Sequence, residues 1–158
     1  MCLSDKQIAS DQDAGILWET ELFRLSHADF CAWPAYLILR LKGPARSLAQ
    51  LSPAEAAAFG HALAHSARAL ECVAGAQRVY LLSFAEVDRQ LHVHLLARTA
   101  ALANAWREAT GAGAGPVDGP ALFQWVREAW PAGSTPPVEL KQEALCAALR
   151  VALADVPL

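Results

Sequence analysis

A chain of 158 residues has the length of one ordinary domain and can close a single core without disulfide or metal staples. With 13 Lys and Arg against 16 Asp and Glu, its net charge is −3, so the basic stripe that a polynucleotide backbone demands is missing. One phosphate group can still be held by a few fixed dipoles. No segment approaches the ~20 uninterrupted apolar residues of a membrane span, so no membrane partner is expected. Asp5, Lys6, Asp11 and Asp13 interrupt the start where a secretion signal needs a continuous apolar stretch, and a cytoplasmic protein is expected. Cys2, Cys31, Cys72 and Cys146 are widely and irregularly spaced and read as reduced, mostly buried thiols.

Residues 1–14 are polar and without period and read as a loose arm, leaving 15–158 as one domain. Residues 16–25 read as an extended stretch with imperfect alternation. Trp33-Pro34 punctuates the chain, and Tyr36-Leu37-Ile38-Leu39-Arg40-Leu41 follows as a strand with a deeply buried face, ended by Lys42-Gly43-Pro44. The clearest helix comes next. Ser52 caps it, Pro53 suits its first position, Glu55 completes a capping box and Gly75 closes it. Phe59, Leu63, Leu70 and Val73 supply its buried stripe, while His61 and His65 share a face and read as exposed.

Residues 78–84 read as a core strand, 86–89 as a charged loop in which Asp88 and Arg89 form a solvated turn, and 90–98 as a further strand. Residues 99–158 change character. Helices are expected over 100–110, 120–130 and 139–154, the last burying Leu140, Leu145, Leu149 and Val151, with Gly- and Pro-rich breaks between them. The proportions are those of an α+β domain around one long helix.

Side chains two apart on a strand share a face, so Gln90, His92 and His94 project together while Leu91, Val93 and Leu95 enter the core. Unpartnered buried imidazoles cost several kcal/mol, at about the upper end of such penalties. The face is therefore expected to open onto a cleft. Two imidazoles suit attack on phosphorus, because a neutral ring has a lone pair and can carry a transferred group. They also suit metal ligation, which needs further ligands from elsewhere. The residues alone leave both open.

The order of Tyr36-Leu37-Ile38-Leu39, Leu51-Ser52-Pro53-Ala54-Glu55, Arg78-Val79-Tyr80 and Gln90-Leu91-His92-Val93-His94-Leu95-Leu96-Ala97-Arg98 resembles bacterial single-domain histidine triad (HIT) proteins. The resemblance covers residues 16–98. It implies an antiparallel sheet with a long helix after the second strand, residues 99–158 being a helical elaboration. It further implies a nucleotide hydrolase or transferase acting at the α-phosphate of dinucleoside polyphosphates or nucleoside phosphoramidates, and commonly a homodimer. Under it, His92 is the nucleophile that forms a nucleotidyl-histidine. His94 donates to a phosphate oxygen, and Gln90 stands where the family's first histidine usually stands. Asp29 falls near the ribose-binding position, and Phe30 and Trp33 are candidate base contacts, although plain core packing also accounts for both aromatics. No cofactor and no metal ligand is implied. Tyr36 and Ala85-Glu86 depart from the family, which often has His and Gly-Asn there. A binding module with little turnover, and a metal-binding protein using His92 and His94, are the competing readings.

Overall fold

The computed structural model describes residues 15–137 and 141–154. The expected arm over 1–14 and Leu140 lie outside them. Five antiparallel strands form one sheet: β1 (Ile16–Glu19), β2 (Phe23–His27), β3 (Tyr36–Leu41), β4 (Arg78–Leu82) and β5 (His92–Arg98), in the order β1-β2-β3-β5-β4. Among the described residues four α-helices accompany it: α1 (Pro53–Ala74), α2 (Ala100–Thr110), α3 (Gly119–Ala129) and α4 (Gln142–Ala154). No helix among the described residues is long and apolar enough to cross a membrane.

The extended stretch at 16–25 is a hairpin, so the long helix follows the third strand and not the second. Thr20 makes the turn. Its hydroxyl accepts from the backbone of Leu22 and Phe23, and its own N–H donates to the Phe23 carbonyl at 2.8 Å. Such a hydroxyl offers the backbone an alternative to the ladder, which an uninterrupted strand reading overlooks.

α1 begins as expected. Ser52 Oγ accepts from Glu55 N, Glu55 answers by accepting from Ser52 N at 2.8 Å, and Gly75 ends the helix at φ 65°. The left-handed turn there suits a residue without Cβ. Phe23, Leu25, Leu37, Leu39, Leu41, Leu95 and Ala97 are sealed on one sheet face, where Phe59 of α1 meets Phe23 with ring centroids 5.6 Å apart. α4 packs on α1 and β1.

Two expectations about these helices are corrected. His65 is buried, donating from Nε2 to the Leu153 carbonyl at 3.1 Å with its ring against Trp18, because α4 folds back over it. Val151 is 69% exposed, and α4 buries Leu145, Cys146, Leu149 and Leu153 instead. Among the described cysteines all three are free; Cys31 and Cys146 are buried and Cys72 is exposed.

Candidate functional site

Register places the site. In the β3–β5 pairing Arg40 lies opposite His92 and Ile38 opposite His94. Directly opposed residues share a sheet face, so all four side chains stand on the face away from α1. With Asp29, Phe30, Phe84, Asp88 and Arg127 they line a cavity of about 440 Å³. That face is half covered by α3, whose Phe123 meets the rings of Tyr36 and His94 at 5.6 and 6.3 Å.

His92 is 6% exposed, yet it lines this cavity. Its Nδ1 donates to the Gln90 carbonyl at 2.7 Å. A carbonyl can only accept, so Nδ1 carries a proton, and in the neutral ring Nε2 is the nitrogen with the lone pair. The His94 ring lies 5.0 Å from that of His92, edge to face. Tyr36 Oη and His94 Nδ1 share a hydrogen bond of 3.1 Å. Burial lowers the pKa of His94 to about 4, and positive charge on His92 (when it is protonated), on Arg127 and on Arg40 pushes the same way, so this ring is neutral at pH 7. Burial likewise raises the Tyr36 hydroxyl above its ordinary range and keeps it a phenol.

Gln90 departs from expectation. It precedes the strand, and its amide donates to the Gly43 carbonyl at 3.4 Å and not into the cavity. What Gln90 brings to the site is its backbone: the carbonyl holds His92. The charged loop anchors that backbone. Asp88 Oδ1 accepts from Gln90 N at 3.0 Å while Oδ2 pairs with Arg40 across the loop. The backbone N–H of Gln90, and then Arg40, hold the Asp88 carboxyl below its ordinary pKa. Asp88 is thus more than a solvated turn residue.

Asp29 and Phe30 line the cavity. Trp33 stands apart, buried at 3% exposure with its ring 4.7 Å from that of Trp130. Its place is the core, because the segment after β2 is stitched to the end of α3: Ala32 N donates to Trp130 O at 2.9 Å and Ala132 N to Phe30 O at 3.0 Å.

Arg40, Asp88 and Arg127 are the residues that sequence reasoning missed as site members. Arg40 was legible in principle, as a cation on the Tyr36-Ile38-Arg40 face of a buried strand. Arg127 was not. It arrives from α3 and sits over the Phe30 ring, 5.1 Å from its centroid. Among the described residues no group of three or more His, Cys, Asp or Glu side chains could hold a metal ion.

Ala85 lies in the loop where the resemblance expects Gly, and it adopts φ 52°, a left-handed conformation that costs a residue with Cβ about 1–2 kcal/mol. Part of that relief is offset by the greater unfolded-state freedom of glycine. Ala85→Gly is expected to raise stability by about 0.5–1 kcal/mol, read from urea denaturation. A loss of stability would show that the loop does not hold this conformation.

Solved structures share the architecture. A histidine triad protein from Marinobacter aquaeolei VT8 aligns at a TM-score of 0.58 and 18% identity, over 99% of this chain and 99% of that one. A histidine triad (HIT) protein from Sinorhizobium meliloti 1021 aligns at 0.54 and 21% identity, over 94% and 93%. A uridylyltransferase aligns at 0.55 and 17% identity, over 94% of this chain and 44% of that one. No family model matches the sequence, and comparison with curated proteins finds no match. Likeness at these identities speaks for fold, and the agreement extends over nearly the whole chain, helical tail included. This protein has the histidine triad fold.

Proposed function

We propose that the chain cleaves or transfers at the α-phosphate of a nucleoside 5′-phosphate conjugate, with His92 as nucleophile. One observation carries the reading: the 2.7 Å bond from His92 Nδ1 to the Gln90 carbonyl, which in the neutral form leaves Nε2 as the unprotonated nitrogen of a ring lining the cavity. The Nε2 lone pair attacks phosphorus, and the bond from phosphorus to the leaving nitrogen or oxygen breaks, its electron pair going to the leaving atom, which takes up a proton. The nucleotidyl-imidazolium so formed keeps its Nδ1–H on the Gln90 carbonyl, which stabilises the positive ring. Water then adds at phosphorus and loses a proton, the P–Nε2 bond breaks, and the lone pair returns to His92. A nucleoside 5′-monophosphate is released; an alcohol or phosphate in place of water makes the same chemistry a transfer.

The remaining wall suits a charged phosphate. With Tyr36 Oη donating to Nδ1, His94 carries its proton on Nε2 and donates it to a phosphate oxygen. Arg40 and Arg127 supply positive charge beside the two imidazoles. Asp29, on the same wall, accepts from ribose hydroxyls, and the Phe30 ring contacts the base. That one structure of this fold is a uridylyltransferase supports nucleotidyl chemistry as the class.

Incubation with adenosine 5′-phosphoramidate tests the proposal, and release of AMP is the expected outcome. Binding of AMP without any product from the phosphoramidate would make the chain a nucleotide-binding module. Because the Gln90 side chain points at Gly43, Gln90→Ala should change kcat by less than roughly tenfold, far short of the loss of a transition-state donor. A hundredfold loss in steady-state assays would place that amide on the phosphate after all.

A further inference from the structure

A second cavity, of about 680 Å³, adjoins the histidine pocket and shares Phe30, Phe84 and Arg127 with it as a common wall. Its other sides come from Leu82 at the end of β4 and from Phe123 and Gln124 of α3. Both compartments fall in the size range of small-molecule sites. The second one is walled largely by α3, and its walls are tied together. The backbone bonds between residues 30–32 and 130–132 fix α3 against Phe30, and at the other end of the helix a Cβ on Gly119 would lie 3.3 Å from the Tyr80 ring of β4.

We propose that this compartment receives an uncharged aromatic ring on the group attached to phosphorus, so that the nucleotide and its leaving group occupy the two sides of the Phe30–Arg127 partition. Three phenylalanine rings and a leucine offer the edge and face contacts that a planar ring collects and a short alkyl chain does not. Phe84, 66% exposed on the partition, is a large apolar side chain that the folded chain itself leaves uncovered. Charge selects against an anion at the far side. Beyond the partition the one ionisable wall residue among the described residues is Glu128, to which Gln124 donates at 2.9 Å, whereas the cations stand at the histidine pocket and on the partition. Arg127 thus meets the phosphate at the border, and the ring lies past it. The inference rests on the reading of His92 for its reaction, but not for its walls.

Two substrates that differ only in the amine decide it: N-benzyl and N-propyl phosphoramidates of adenosine 5′-phosphate. Each is compared between the wild type and Gln124→Trp, an exposed helix position that lines the second compartment alone. The comparison cancels the intrinsic reactivity of each leaving group. The bulky ring should lower kcat/KM for the benzyl compound by roughly tenfold or more, the scale at which apolar pockets discriminate, and leave the propyl compound within about threefold. Equal losses for both, or no loss for either, overturn the proposal while leaving the chemistry at His92 intact. If the wild type cleaves neither compound, the reaction assigned to His92 fails instead, and calorimetric titration decides the compartment. Tighter binding of the benzyl compound that Gln124→Trp abolishes sustains it; equal affinities, or no binding of either, overturn it.

Discussion

His92→Ala is expected to lower the release of AMP from adenosine 5′-phosphoramidate by roughly a thousandfold or more, the scale seen when a covalent nucleophile is removed. The expectation follows from the tautomer. With the Nδ1 proton committed to the Gln90 carbonyl, neutral His92 has its lone pair on Nε2, and neither the neutral His94 nor the arginines around it can replace that lone pair. The loss should appear in kcat with little change in AMP affinity, because Asp29, Phe30, Arg40 and Arg127, the proposed nucleotide contacts, still line the cavity. Steady-state kinetics and AMP titration separate the two. Undiminished turnover in His92→Ala would remove the nucleophile from the scheme.

His94→Gln is expected to cost roughly 10²–10³ in kcat, the usual toll for one donor to a developing anionic charge. It should also change how stability depends on pH. The folded pKa of His94 falls from an ordinary 6.5 to about 4, chiefly by burial, and buried His27 is shifted the same way. Between those values the unfolded chain binds more protons than the folded one, so stability is complete above about pH 6.5 and drains away as pH falls toward 4. The lowered carboxyls of Glu19, Glu55 and Asp88 act at lower pH, below their ordinary values of 4.5, 4.5 and 3.8. Urea midpoints at about pH 7 and about pH 5 should therefore differ less in His94→Gln than in the wild type. An identical difference would mean that His94 is solvated and protonates as a free imidazole does.

Local chemistry made much of the frame readable before any coordinates. Ser52, Pro53, Glu55 and Gly75 bound α1 because each satisfies an orphan backbone group or a backbone angle within its own turn. His92 and His94 share a face because a strand alternates. What escaped depends on contacts distant in sequence. Gln90 has the spacing of a face residue, but the chain bends before the strand begins, and the Gly43 carbonyl captures its amide. His65 looked exposed on α1 until α4, which follows it by more than seventy residues, supplied a carbonyl to receive its proton. Arg127 carries no local sign of its role, since only the docking of α3 onto residues 30–32 brings it over Phe30. The departure at Ala85 was visible in sequence, and its meaning came with the left-handed backbone found there.

In the reaction proposed for His92, phosphorus becomes bonded to one named nitrogen, Nε2. Mixing the protein with adenosine 5′-phosphoramidate, denaturing it in alkali during turnover and weighing its peptides measures this directly, since a phosphorus–imidazole bond survives base. An adenylyl group is expected on the peptide containing His92, and none on the corresponding peptide of His92→Ala. Turnover with no modified peptide, or with the adenylyl group on another residue, would contradict it.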